Sequence, residues 1–437
     1  MSIEDDRLTI HDPEQVNEKY SKEFSSEDQP LPPTVSDSGL RAWLVVLGSF
    51  LAQFCTFGYT NAFGVYNDYY VREYLSEYTS SQISWIGSVQ LLLTLSTGLF
   101  TGRAFDAGYF YHMTIVGGFT LVFSLFMLSL THPQQYYQVF LCQGLLTSIG
   151  IGLVHVPSLA ILSQYFKRNR ALTMGISTSG AAFGGTIHPI MLNKLFHGRI
   201  GFHNGIRASA GFILGLMVLS VALMKPALPP TKQEGSLFRD FRKFLREPPY
   251  LLTTIGTCFI ICGFYFPVFF LQLSAIQQGI SPRLAFYSLT ILNGASVVGR
   301  IVPNLVVHRS GVFNAVIFCT IACSALVFCD LAVKNAVGIV MFALVYGFFN
   351  GTYAGLVAPM AASLAKNDSE IGARMGVCFT FTGTCSISYL PIAGAFLSAS
   401  FDWWKPFLFS GLSGLTGTIF FVVVRYLLVK QRGTQFV

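Results

Sequence analysis

Charge is what this chain lacks. Only 11% of its 437 residues are Asp, Glu, Lys or Arg, while 52% are hydrophobic. A soluble domain carries about 25% charged residues, so this chain cannot cover a water-facing surface. Acidic residues are scarcer still in the apolar runs. Ten of the 21 Asp and Glu lie before residue 38, and the rest fall in loops or at the ends of those runs. A mid-membrane carboxylate relay, a common means of coupling protons to transport, is therefore missing. No Walker motif is present, which argues against an ATP-driven pump. No nucleophile–base pair or metal-ligand cluster stands out, which points away from an enzyme, a metal site or any cofactor. Residues 1–40 have no apolar core of a signal peptide. They are polar, acidic and proline-bearing, and read as a disordered cytoplasmic tail. All nine cysteines sit in apolar segments, where small core residues are the expected role, including the i,i+4 pairs at 258/262 and 319/323.

What the chain has is long apolar runs. Stretches of about 20 residues, enough to cross a ~30 Å hydrocarbon core, recur near 42–64, 83–104, 113–131, 138–163, 171–195, 208–224, 250–272, 285–307, 313–333, 336–364, 374–399 and 406–429. They show no period-2 alternation, which favours helices over a membrane barrel. Pro157 and Pro359 are 202 residues apart, as are Pro189 and Pro391, while Gly175 and Gly376 are 201 apart. A six-span unit written twice in one orientation implies two lobes and a substrate site between them.

Basic residues cluster in alternate loops. Lys167, Arg168 and Arg170 follow span four, Lys225 to Arg246 follow span six, and Lys430 and Arg432 close the chain. The positive-inside rule then puts both termini in the cytoplasm. The +7 net charge reports topology and not nucleic-acid binding. The predicted organisation is a tail at 1–40, a six-helix lobe at 41–224, a cytoplasmic linker at 225–249, a second six-helix lobe at 250–430 and a tail at 431–437. Within the linker, 236–246 reads as an amphipathic interfacial helix.

Two loops repeat a pattern. Gly102-Arg-Ala-Phe-Asp106-Ala-Gly108 follows span two, and Asn304-Leu-Val-Val-His308-Arg309-Ser-Gly311 follows span eight. They resemble the G-x-x-x-D-R-x-G loop of the major facilitator superfamily, where the Asp caps a neighbouring helix and helps latch the cytoplasmic side. The resemblance implies a gating role for Gly102, Asp106, His308 and Arg309, although the second copy has Asn for the Gly and His for the Asp. Further segments are similar to the fungal branch of the monocarboxylate porters: Asp37-Ser-Gly-Leu-Arg-Ala-Trp43, Asn61-Ala-Phe-Gly-Val-Tyr66, Gln164-Tyr-Phe-Lys-Arg-Asn-Arg-Ala171 and Ile371-Gly-Ala-Arg-Met-Gly376. The implied fold is an all-α membrane protein of twelve transmembrane helices in two six-helix lobes.

Arg300 stands about four residues past the middle of its run. An Arg at that depth faces a cavity, a partner or a substrate unless it snorkels to the interface. Its guanidinium suits a carboxylate, and the porters engage their substrate with an Arg at this place. Their Lys late in span one is Asn61 here, and the Asp one turn before the Arg is Ser296, so proton–lactate symport does not follow. Asn61, Asn293, Asn350 and Tyr265 are the further candidate substrate contacts. Gln53, Gln90, Tyr353 and Tyr389 are other polar groups able to line a cavity. His155 and His188 are the candidate proton carriers, each also placed to satisfy backbone groups freed near a proline. The expectation is a secondary active or facilitative transporter, monomeric in the bilayer, moving a small organic anion or secondary metabolite by alternating access, with or without a proton. The plasma membrane is the expected site, with a vacuolar or other organelle membrane as the alternative. A non-transporting sensor and an importer of a vitamin-like neutral solute are the contrasting readings.

Overall fold

A computed structural model describes residues 39–227, 237–396 and 403–436. The expected disordered tail lies outside them except for its last two residues, and Leu40 already begins a helix. The helices in chain order are α1 (Leu40–Tyr74), α2 (Ser81–Asp106), α3 (Phe110–Leu128), α4 (Tyr136–Tyr165), α5 (Arg170–Phe196), α6 (Gly201–Leu223), α7 (Leu237–Leu245), α8 (Pro248–Gln277), α9 (Pro282–Ser310), α10 (Val312–Asp330), α11 (Ala336–Ser363), α12 (Ile371–Phe396) and α13 (Trp404–Arg432). No strand occurs among the described residues. Ten of these helices, all but α5, α7 and α12, are long and apolar enough to cross a membrane. The other two long ones, α5 and α12, have 27 and 26 residues and carry many Gly, Ser and Thr. They fall on the predicted segments 171–195 and 374–399, although 397–399 lie outside the described residues.

The exterior is apolar and much of the interior is polar. Phe119, Val218, Phe318 and Ile419 are each more than 60% exposed, whereas Gln53, His188 and Thr94 are fully buried. That inversion suits a hydrocarbon surround, where the backbone bonds itself in helices and side-chain polar groups turn inward.

Local sequence explains the irregular places. Thr79 caps α2 through a capping box with Gln82, and Asn335 caps α11 by accepting from Gly338 N at 2.7 Å. Helix α1 breaks twice, at Thr56 and at Asn61–Ala62, and so places Asn61 beside the centre of the bundle. Helix α6 begins at Gly201, several residues before the predicted 208. The polar stretch between joins the helix because His203 Nδ1 donates to Ser129 O at 2.9 Å and Arg207 Nε to Ser129 Oγ at 3.1 Å. Residues 228–236 of the expected linker lie outside the described residues. Its amphipathic helix is α7, and two of its aromatic rings pack on protein. Phe241 stacks on Phe381 of α12 with centroids 5.7 Å apart, and Phe244, 2% exposed, packs on Tyr250 of α8.

Two pairs of helices make the closest junctions between the first six long helices and the last six, α2 with α12 and α5 with α9, with α5 on α11 and α4 on α12 beside them. The first two are backbone-close. A Cβ on Gly102 would lie 2.0 Å from Gly372 O, one on Gly376 2.0 Å from Gly98 O, and one on Gly175 2.3 Å from Arg300 O. Only glycine permits this approach.

Candidate functional site

Between the first six and the last six long helices lies a cavity of about 140 Å³. All five residues proposed from sequence as substrate contacts line it: Arg300, Asn61, Asn293, Asn350 and Tyr265. They come from α9, α1, α9, α11 and α8. His155 of α4 and Gln53 of α1 line it too, with Phe57, Phe264, Tyr353 and Phe379 as its aromatic wall. Among the described residues, Arg300 is the one Lys, Arg, Asp or Glu on this wall.

Arg300 is held by neutral groups. Its Nη1 donates to Thr178 O on α5 at 2.5 Å and its Nε to Ser296 Oγ one turn earlier at 3.3 Å. No carboxylate pairs with it among the described residues. A guanidinium has five N–H donors in a planar fork, so unused donors are left for an anionic oxygen in the cavity. Asn293 Nδ2 donates to Leu289 O at 3.1 Å and reaches Gly185 O of α5 at 3.5 Å. Asn61 Nδ2 reaches Ala181 O at 3.4 Å. These side chains therefore sit where α5 meets α1 and α9, at a joint as well as at a wall.

The two histidines part company. His155 faces the cavity between the rings of Phe57 and Phe379, at centroid distances of 4.8 and 5.4 Å. His188 is not on the cavity wall. It is fully buried against Phe54 and Tyr59, its Nε2 donates to Phe54 O at 3.1 Å, and its Nδ1 has no partner among the described residues. His188 thus satisfies a backbone carbonyl of α1, and not one freed by Pro189 in its own helix. Gln90 is buried away from the cavity with Oε1 unbonded, and the side chain of Tyr389 lies outside the described ones.

At one end of the bundle the gating residues separate in the same way. Asp106 closes α2 onto α12: its Oδ1 accepts from Gly372 N at 3.1 Å and its Oδ2 from Ala373 N at 2.7 Å. Amides in a helix's first turn have no partner of their own, and a carboxylate there also meets the positive end of the helix dipole. Gly102 lies one turn earlier on the same seam. His308 and Arg309 are exposed at the end of α9 and make no such contact among the described residues. In that copy the close approach belongs to Asn304, whose Nδ2 donates to Arg300 O at 2.7 Å beside Gly175. Asp368 adds exposed pairs to Arg170 at 3.3 Å and Lys167 at 3.6 Å.

One cluster had no counterpart in the sequence reading. Arg374, with 0% of its side chain exposed, donates in bidentate fashion to Glu247 and also to Glu370. Its guanidinium lies 4.5 Å from the Phe244 ring centre and 5.3 Å from that of Tyr250. Lys366 and Lys243 pair with the outer sides of the two carboxylates. Burial pushes both carboxyls up, but bonds from these cations outweigh it and hold them below the usual range. The i,i+4 spacing of Glu370 and Arg374 was a readable signal. Glu247 lies too far along the chain to be one.

The sequence profile of the Major Facilitator Superfamily matches residues 46–369. The MFS-type transporter dbaD of Emericella nidulans is 36% identical over 91% of this chain and 93% of its own length. The Agnestins efflux protein AgnL12 of Paecilomyces divaricatus is 37% identical over 88% and 87%. The Aspyridones efflux protein apdF of Emericella nidulans is 36% identical over 85% and 74%. Among solved structures, the human organic anion transporter MFSD10 superposes with a TM-score of 0.67 over 90% of this chain and all of its own, at 14% identity. The proton:xylose symporter XylE gives 0.69 over 87% and 94%, at 12% identity.

Proposed function

We propose that this chain, which belongs to the Major Facilitator Superfamily, exports a small acidic secondary metabolite, binding its anionic oxygen at Arg300. The chain is a multi-pass membrane transporter and not an enzyme. The observation that carries the proposal is an Arg on the central cavity wall with donors to spare and no carboxylate beside it. An uncompensated charge inside a membrane protein is costly, and a substrate anion offsets it. A neutral vitamin-like solute would not. The resemblance to monocarboxylate porters favours the same anion chemistry, and relatives named as efflux proteins favour the outward direction.

In this reading α5 and α12 also cross the bilayer, making twelve spans, with lobes at 41–224 and 250–430 joined by the linker. Both termini face the cytoplasm, as the basic loops require. The Asp106 latch then closes the cytoplasmic side, and the present cavity belongs to a cytoplasm-closed state. Substrate enters when the α2–α12 and α5–α9 seams part, and the lobes rock about the site. A monomer in the plasma membrane suffices. Asn61, Asn293, Asn350 and Tyr265 supply neutral hydrogen bonds to the rest of the substrate.

Metabolite profiling of cells overproducing the protein tests this directly. Wild type should move an acidic metabolite from cells to medium, and Arg300→Ala should abolish that shift at normal membrane abundance. Loss of abundance in step with loss of export would assign Arg300 to folding instead.

A further inference from the structure

His155 is more narrowly specified than the other wall residues, because its ring is locked by a side chain that cannot rotate. Gln53 Nε2 donates to His155 O at 3.1 Å and to Ser158 Oγ at 2.8 Å. A carbonyl oxygen only accepts, so the amide cannot be flipped without setting Gln53 Oε1 against it. Ser158 Oγ in turn donates to His155 O at 2.9 Å. Gln53 Oε1 therefore faces His155 Nδ1, 3.0 Å away. An amide oxygen only accepts as well, so Nδ1 carries the proton. Both residues are buried at 6% exposure or less, so the Gln53–His155 contact is held within the protein and only the cavity side of the ring is open. The second nitrogen, Nε2, has no partner among the described residues. Among the described residues the cavity wall already carries one cation, Arg300, and no carboxylate. An imidazolium there would meet a like charge with no anion to offset it.

We infer that His155 is not a proton carrier but a fixed hydrogen-bond acceptor, which selects substrates presenting a hydroxyl or enol O–H near the anionic oxygen taken by Arg300. This rests on the anion reading of the cavity and adds its second half: a donor at Arg300 and an acceptor at His155 Nε2. Phe57 and Phe379 lie tilted against the imidazole, so the hydroxyl-bearing part meets aromatic surface and, in the simplest case, is itself aromatic. The recognised class is an aromatic or enolic hydroxy acid. A simple monocarboxylate or its methyl ether lacks the donor and leaves the acceptor unanswered by the substrate.

The test uses full-length protein in proteoliposomes with six probes: the 2-, 3- and 4-hydroxybenzoates and their methyl ethers. Wild type should move at least one hydroxy acid about tenfold faster than its ether. His155→Phe, which keeps a ring between Phe57 and Phe379 but no acceptor, should bring that ratio to about one. Gln53→Met, which frees the imidazole to change tautomer, should narrow it. In parallel, 15N-histidine NMR of the same preparation should show His155 neutral with Nδ1 protonated from about pH 5.5 to 8. Equal rates for acids and ethers in wild type, a ratio that survives in His155→Phe, or a proton on Nε2 would each overturn the assignment. A wild type that moves none of the acids would refute the anion reading itself, and the selectivity with it. The NMR signal distinguishes that failure from a misassigned histidine.

Discussion

A single methyl group on Gly376 should hold one end of the bundle open. Helices α2 and α12 touch backbone to backbone, and a Cβ on Gly376 would lie 2.0 Å from Gly98 O and 2.8 Å from Gly98 C. A carbon–oxygen contact relaxes at about 3.3 Å, so in Gly376→Ala the helices must part by roughly 1.3 Å there. Overpacking of this size costs about 1–3 kcal/mol. The α2–α12 contact exists only while this end is shut, so the cost falls on the closed state and shifts the closed-to-open ratio by about 5–150-fold. The amides of Gly372 and Ala373 are the reporters, because their hydrogen bonds to Asp106 break when the seam opens. Hydrogen–deuterium exchange of a peptide spanning 371–376 should rise in Gly376→Ala, with α10 and α13 unchanged, and transport should slow. Unchanged exchange with full transport would refute the reasoning. A rise spread evenly over all helices would show that the glycine serves the fold and not the closed state.

Asp106→Asn keeps the side chain's shape but removes the charge facing the α12 N-terminus, worth about 0.3–1 kcal/mol, and one of the two acceptors used by Gly372 N and Ala373 N, worth about 0.5–1.5 kcal/mol more. The same peptide should exchange faster than in wild type, with the melting temperature little changed. Arg374→Gln leaves two carboxylates beside each other and should cost about 3 kcal/mol, the low end for a broken buried pair because Lys366 and Lys243 remain; thermal denaturation reads it. Glu247 and Glu370 are held below the usual carboxylate range, so the stability they lend is full at neutral pH and is lost as acid protonates them. The melting temperature of wild type should therefore fall on acidification more steeply than that of a Glu247→Gln, Glu370→Gln double variant.

Apolar run length placed the helices, since a span must satisfy its own backbone whatever it packs against. It misjudged ends, as at α6, where residues 201–207 join the helix because Ser129 receives His203 and Arg207 and Phe202 packs against Tyr69, Tyr74 and Phe196. The cavity contacts Arg300, Asn61, Asn293, Asn350 and Tyr265 were legible for a related reason. A polar residue inside an apolar run must turn inward, and inward in this fold means the seam or the cavity. The same rule could not separate His155 from His188, because the distinction is made by Phe54, Gln53 and Ser158, two of them about a hundred residues away from the histidine they serve. The amphipathic pattern of α7 records one apolar side without saying what it meets. Phe381 and Tyr250 meet two of its rings.

The distribution of charge between seams and interior has a mechanical consequence. Ion pairs across the seam among the described residues include Arg170–Asp368 and Lys167–Asp368, with Asp368 45% and Lys167 75% exposed. Such pairs contribute at most about 1 kcal/mol each, and Asp106 adds a comparable amount through the α12 amides. The fully buried guanidinium of Arg374 instead joins α7, α8 and α12, all on one side of the seam, where removing a partner costs several times more. Strong electrostatics thus stiffen a body that must move as a unit, and weak electrostatics close a contact that must break in every cycle. The reverse arrangement would trap one state. A ligand can shift such a balance only by its differential affinity for the two states, so a seam held by a few kcal/mol is within reach of the metabolite we propose for Arg300 and His155.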